Sequence, residues 1–182
     1  MFPTPTQHRL PQGLIQVYTG NGKGKTTAAL GLALRAVGHG LKVIMIQFMK
    51  GWQYIGEKRA SEYLPNFEIK QFGREDFVNP KKPDKVDIEL AQSALSFAEQ
   101  TIMSGHYDVV ILDEVNVAIH YGLIDVNSVI SIIKNKPRTV EIILTGRYAP
   151  KEIIELADLV TEMKEIKHPY KKNILARAGI DY

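Results

Sequence analysis

Thr19-Gly20-Asn21-Gly22-Lys23-Gly24-Lys25-Thr26-Thr27 lies between an apolar run, Leu14-Ile15-Gln16-Val17-Tyr18, and a helix-like run from Ala28 to Val37. Three glycines within five residues let the backbone take φ > 0 and turn successive N–H groups inward, forming a concave nest for anions. The helix that follows adds its unsatisfied N-terminal N–H groups and its dipole. Lys25 supplies a mobile cation, and the Thr26 hydroxyl is placed to ligate a Mg2+ that bridges phosphates. The stretch therefore predicts a nucleoside triphosphate site. The general pattern is G-x-x-x-x-G-K-[ST] between a strand and a helix. Counting back from Gly24 puts Thr19 where the first glycine belongs. The loop is either of the usual length with that glycine replaced, or one residue shorter and starting at Gly20. Both forms alter the nest and allow the triphosphate a different register.

Outward from this loop the chain alternates strands with helices. A helix is expected from about Lys25 to Val37, with Ala29, Leu30, Ala33, Leu34 and Val37 at helical spacing and Gly38 and Gly40 ending it. Lys42 to Phe48 is a strand apolar along its centre, as one covered on both faces must be. The loop Met49 to Tyr54 leaves its carboxyl end, the edge where open α/β sheets bind ligands. Phe67 to Phe72 alternates and reads as a half-exposed edge strand, and Gly73 to Asp84, with Pro80 and Pro83, has the length of a lid. A helix from Asp87 to Met103 leads to the most hydrophobic strand, Asp108 to Glu114. A helical segment from Val126 to Ile133, a buried strand from Thr139 to Thr145, a short helix from Pro150 to Ala157 and a last strand from Leu159 to Ile166 complete the pattern. Strands separated by helices imply a parallel sheet with right-handed crossovers and helices on both faces. With the glycine loop, the expected fold is a three-layer α/β domain of the P-loop NTPase-like (RecA-like) kind with a mostly parallel central sheet. Pro3, Pro5, Pro11 and Gly13 make residues 1–13 an extended arm, and residues 14–182 a single nucleotide-binding domain.

The composition narrows the partners. A chain of 182 residues holds one domain with a substantial core. Its 23 basic and 20 acidic residues give a net charge of +3, with no long block of one sign. That suits an anionic ligand without indicating a nucleic acid. Without cysteine there is no disulfide framework and no thiolate site. No apolar run reaches the length of a bilayer span, and the first residues lack a basic segment followed by an apolar one, so a cytoplasmic protein is expected. His8, His39, His106, His120 and His168 are scattered, with no pair at the i, i+4 spacing of a helical metal site.

A second constellation ends the strand Val110-Ile111-Leu112-Asp113-Glu114. A strand-end carboxylate paired with a glycine loop some ninety residues earlier holds Mg2+ directly or through water in P-loop proteins. Arg147, in Thr145-Gly146-Arg147, is expected on the same rim, where it would neutralise triphosphate charge.

These segments, taken with Arg35-Ala36-Val37-Gly38-His39-Gly40, Gln47-Phe48-Met49-Lys50-Gly51 and the terminal Gly179-Ile180-Asp181-Tyr182, resemble the P-loop type of ATP:corrinoid (cob(I)alamin) adenosyltransferase from about residue 14 to the C-terminus. The resemblance implies that a cobalt(I) corrinoid attacks C5′ of the ribose of ATP. A cobalt–carbon bond forms, giving adenosylcobalamin or an adenosylated precursor, and triphosphate leaves. It also implies an ATP bound in reverse of the ordinary orientation, in keeping with the altered loop. By position, Gly20, Asn21, Gly22, Lys23, Gly24, Lys25, Thr26 and Thr27 bind the nucleotide. Lys25 is the charge partner, Thr26 and Glu114 are Mg2+ ligands, and Lys25 and Glu114 carry catalysis. Asp113 is outer-shell or structural. Phe77 stands for the aromatic residue that excludes the corrinoid's lower ligand, although that loop usually includes a tryptophan and the only one here is Trp52. A flavoprotein electron donor and a homodimer are further implications. The rival readings are a RecA-like ATPase or small kinase, in which Glu114 polarises water or an acceptor hydroxyl, and a nucleotide-binding regulatory module without turnover.

Overall fold

Runs of β-branched and large apolar residues without polar alternation form strands covered on both faces. In the computed structural model, which describes residues 10–182, the strands are β1 (Ile15–Thr19), β2 (Val43–Phe48), β3 (Phe67–Phe72), β4 (Val109–Asp113), β5 (Glu141–Thr145) and β6 (Leu159–Glu162). All pair in parallel, in the order β3-β2-β4-β5-β1-β6. The unalternating runs β2, β4 and β5 are buried at every position. The alternating β3 takes one edge, as its pattern predicts, and the exposed β6 the other.

The helices are α1 (Lys25–Gly38), α2 (Gly56–Ser61), α3 (Lys85–Ser104), α4 (Val115–His120), α5 (Val126–Lys134) and α6 (Lys151–Leu156). Successive strand residues face opposite sides, so the sheet has two packing surfaces. Ile44, Ile46, Val110, Leu112, Ile142 and Leu144 meet α3 through α6. Val43, Met45, Val109, Ile111 and Ile143 meet α1, which turns Ala29, Ala33 and Ala36 toward them. Small side chains there bring the helix close to the sheet and set its N-terminus directly over the carboxyl end of β1. The result is the three-layer α/β arrangement read from the sequence.

Three details differ. α2 and α4 were not anticipated; α4, Val115-Asn116-Val117-Ala118-Ile119-His120, is apolar nearly all round and shows no helical stripe. The last strand stops at Glu162 rather than Ile166, because Met163 turns its carbonyl to accept the Gly22 N–H at 2.7 Å. Of the expected arm, residues 1–9 lie outside the described residues. Gly13 is seated against the backbone of Val140, and its N–H donates to the Arg138 carbonyl at 2.8 Å. Among the described residues no helix is long and apolar enough to cross a membrane.

The segment Gly73 to Asp84 is fastened at both ends. Gly73 lies against the backbone of Met49 and Lys50, while the Arg74 guanidinium donates from Nε and Nη2 to the two Asp87 oxygens, each at 2.8 Å. Asp87 is buried in the first turn of α3 and also accepts the Asp84 N–H. The Arg74 hydrogen bonds hold its carboxyl below the ordinary 3.8. Such a group binds fewer protons folded than unfolded, so its stabilisation is complete above the unfolded value and is lost as pH falls through the folded one. The stability gap between wild type and Arg74→Met is therefore expected to narrow below about pH 4. Thermal melts across that range check it, and a constant gap would refute the assignment.

Candidate active site

Thr19 is still paired in β1, opposite Glu162, and the turn begins at Gly20 with φ 97°. The loop is thus the shorter of the two forms the sequence allows. Gly24, at φ 120°, occupies the N-cap of α1 without a capping side chain. The first N–H groups of the helix are left open for an anion. The Gly22 N–H is spent on Met163, which ties the chain after β6 to the loop. Lys25 is buried, and its Nζ donates back to the Gly22 carbonyl at 2.6 Å. Burial draws its ammonium below the usual range, against the pull of Glu114.

The carboxyl ends of β2, β4 and β5 converge on Asp113, which is wholly buried. Its Oδ1 accepts from Thr26 Oγ1 at 2.9 Å and Thr145 Oγ1 at 2.7 Å. Its Oδ2 accepts from Lys50 Nζ at 2.6 Å and Gln47 Nε2 at 3.4 Å. Burial pushes this carboxyl up, but the Lys50 charge and the hydrogen bonds of Lys50, Thr145 and Thr26 prevail and hold it below the ordinary range. With four donors its acceptor positions are filled.

Glu114 differs. It caps α4 from the left-handed region, φ 64°, with its own N–H donated to Thr145 Oγ1 at 3.0 Å. That turn points its side chain back over the sheet edge, beside Gly146, where an added Cβ would come within 3.3 Å of Oε2. Among the described residues its carboxylate receives no hydrogen bond. Burial, then Asp113, pushes it up, while Lys50, Lys25 and Arg147 pull it down. An acid that receives no donor among the described residues, on the same sheet edge as the Thr26 hydroxyl, offers oxygen of the kind a hard divalent ion takes.

Gly20 through Thr26, Glu114 and the turn carrying Arg147 therefore come together. Arg147 is exposed, yet its charge bears on both Lys25 and Glu114. Asn21 and Thr27 are exposed at the loop and the start of α1. The Lys23 ammonium pairs with Asp181 and lies 3.3 Å from the Ile180 carbonyl, so this side chain binds the C-terminal segment. Phe77 projects fully into solvent, 101% exposed. Trp52 stacks at 5.1 Å on Tyr182. Sequence reading gave no role to Lys50, Gln47 or Thr145. The available signal was a lysine two residues past a mostly apolar strand on the ligand edge.

A phosphate loop after β1 and an acid pair after β4, both on the carboxyl edge of a parallel sheet, define a P-loop nucleotide-binding protein. The protein family described as ATP:corrinoid adenosyltransferase BtuR/CobO/CobP matches residues 11–182. A corrinoid adenosyltransferase of Sinorhizobium sp. is 39% identical, covering 94% of this chain and 81% of that protein. Those of Pseudomonas aeruginosa and Escherichia coli (strain K12) are 35% and 36% identical, covering 97% and 94% of this chain and 87% and 86% of theirs. The chain belongs to the ATP:corrinoid adenosyltransferase family.

The two loop lysines are expected to separate on substitution. Lys25→Ala removes a buried cation and weakens ATP binding about ten- to a hundredfold. Lys23→Ala, which faces Asp181, changes it less than about threefold. Calorimetric titration with Mg·ATP measures both, and equal losses would contradict the geometry.

Proposed function

We propose that this protein transfers the 5′-deoxyadenosyl group of ATP to the cobalt(I) of a corrinoid and releases inorganic triphosphate. It is a transferase that moves an adenosyl group from ATP to a corrinoid. The observation that carries the reading is the short glycine cradle, intact at the sheet edge in a chain whose family match spans residues 11–182. The cobalt(I) lone pair forms the Co–C5′ bond as the C5′–O bond breaks, and the electron pair of that bond leaves on the triphosphate. A nucleophile this strong needs no general base. The protein's task is to align C5′ and to stabilise the charge that develops on the leaving group.

The residues divide that task. The N–H groups at the start of α1 and the Lys25 ammonium grip the polyphosphate. Thr26 and Glu114 are the oxygen donors that would hold Mg2+, Thr26 oriented by Asp113 and Glu114 free of other partners. The ion, when bound, neutralises phosphate charge. Asn21 and Arg147 border the nucleotide, and Phe77 is the aromatic residue proposed for the corrinoid side. Residues 14–182 act as one domain, with residues 1–13 as an arm. Cobalt(I) has to be generated before transfer, so an electron donor, of flavoprotein type by the family reading, acts first. A homodimer is supported by the family reading and by Ile154, Leu159 and Val160, left exposed at the β6 end of the sheet. A cytoplasmic setting agrees with a chain that has no cysteine.

Incubation with ATP and a chemically reduced corrinoid is expected to yield triphosphate and a photolabile adenosylated product. Release of ADP and phosphate instead would favour an ATPase or kinase and sink the proposal. Glu114→Ala is expected to keep its fold and to lose about 10²–10³-fold in kcat.

A further inference from the structure

The polar row at the carboxyl edge contains one cation that the mechanism above has not used. Lys50 follows β2, and its ammonium rests on the outer oxygen of Asp113 at 2.6 Å, with the side chains 30% and 0% exposed respectively. The Asp113 end of the pair is thus closed off from solvent and the Lys50 end is partly open. One carboxylate separates this ammonium from the Thr26 hydroxyl, since Asp113 accepts from both.

The backbone is built to aim this lysine. Met49 adopts the left-handed conformation at φ 57°, uncommon for a side chain of its size. Its N–H donates to the Phe72 carbonyl at 2.8 Å. A Cβ on Gly51 would stand 2.4 Å from the Gly73 carbonyl oxygen, and one on Gly73 would stand 2.3 Å from the Lys50 nitrogen. The two strand-end turns therefore lie backbone against backbone, and the Lys50 side chain runs from them to Asp113. Lys25, Arg147 and Lys50 all act on Glu114, and Lys50 answers Asp113 directly, with Glu57 as a further acid near it.

We propose that Lys50 is a further binding residue for the triphosphate, a second cation that meets the leaving group from the β2 side while Lys25 holds it from the α1 side. The proposal deepens the adenosyl-transfer reading and rests on it for the identity of the leaving group. A triphosphate that departs whole gathers the electron pair of the broken C5′–O bond on the oxygen nearest the ribose, and a cation fixed beyond the loop can meet charge that Lys25 does not reach.

The test uses the full chain and inorganic triphosphate with Mg2+, followed by calorimetry, together with kcat and KM for ATP. Lys50→Met is expected to weaken triphosphate binding by about tenfold or more and to lower kcat more than it raises KM, whereas Lys50→Arg stays within about threefold. Because Lys50→Met strands a buried carboxylate, and Asp113 also holds Thr26, the deciding comparison is Lys50→Met with Asp113→Asn against Asp113→Asn alone. The double variant is expected to fold and to bind triphosphate about tenfold more weakly than Asp113→Asn. Equal affinity in the two would show that Lys50 serves only to pair Asp113 and would overturn the proposal, as would absence of triphosphate binding by the wild type. Failure of the wild type to adenosylate a corrinoid would instead remove the transfer reading, with the triphosphate titration still deciding on Lys50.

Discussion

An ionised carboxylate shut away from water survives only if donors surround it, and Asp113 states that requirement at the centre of this fold. Its partners arrive from β2, β5 and α1, with Lys50 from the turn beyond β2. Meeting its needs therefore fixes the carboxyl ends of three strands and the first turn of the phosphate helix relative to one another. Gln47 is its register neighbour on β2, and Gln71 is in turn the neighbour of Gln47 on β3. The Gln71 side chain donates to the Gln47 oxygen at 3.1 Å, and Thr145 approaches from β5. The sheet face that is apolar beneath α1 turns polar in its last row, where the helix ends and the glycine loop begins. Core and site meet along that row.

The same row explains why the neighbouring acids behave differently. Asp113 lies on the strand and points into the sheet face under α1, where it is saturated. Glu114, one residue on, has left the strand in a left-handed turn, and its side chain emerges among Lys25, Lys50 and Arg147 with no donor to it among the described residues. Adjacent acids thus divide into one saturated with donors and one held clear of them by backbone geometry. The division holds because Thr145 binds both, donating to Asp113 and accepting the Glu114 N–H.

Much of this was legible beforehand. β2, β4 and β5 are apolar along their centres without polar alternation, so their burial on both faces follows from composition. The glycine loop names its own place between β1 and α1. The acid pair could be assigned to the ligand edge because any residue just past a parallel strand must lie there. What the sequence hides is mostly non-local. No rule of spacing connects Lys50 with Asp113, sixty-three positions away, and the choice between the two loop lengths depends on whether Thr19 still pairs with a strand much later in the chain. α4 was invisible for a different reason, since burial on nearly every side removes the polar stripe from which a helix is read. Lys23 was read with the loop to which it belongs in sequence, although its side chain answers to Asp181.

Fold and chemistry meet in what the site does not require. In a hydrolytic P-loop enzyme an acid at this edge must orient or deprotonate water, which demands a lone pair directed at the terminal phosphate. Attack on C5′ by cobalt(I) removes that demand, because the nucleophile brings its own electrons. The acids are then free to be used for placement. Asp113 can be saturated with donors and still be useful, since its work is to hold Thr26 and Lys50. Glu114 can sit among cations, since no proton transfer to water is asked of it. A cradle with Lys25 and Lys50 at its edge, anchored on a carboxylate that never needs to accept a proton, fits a reaction whose developing charge lies wholly on the departing polyphosphate.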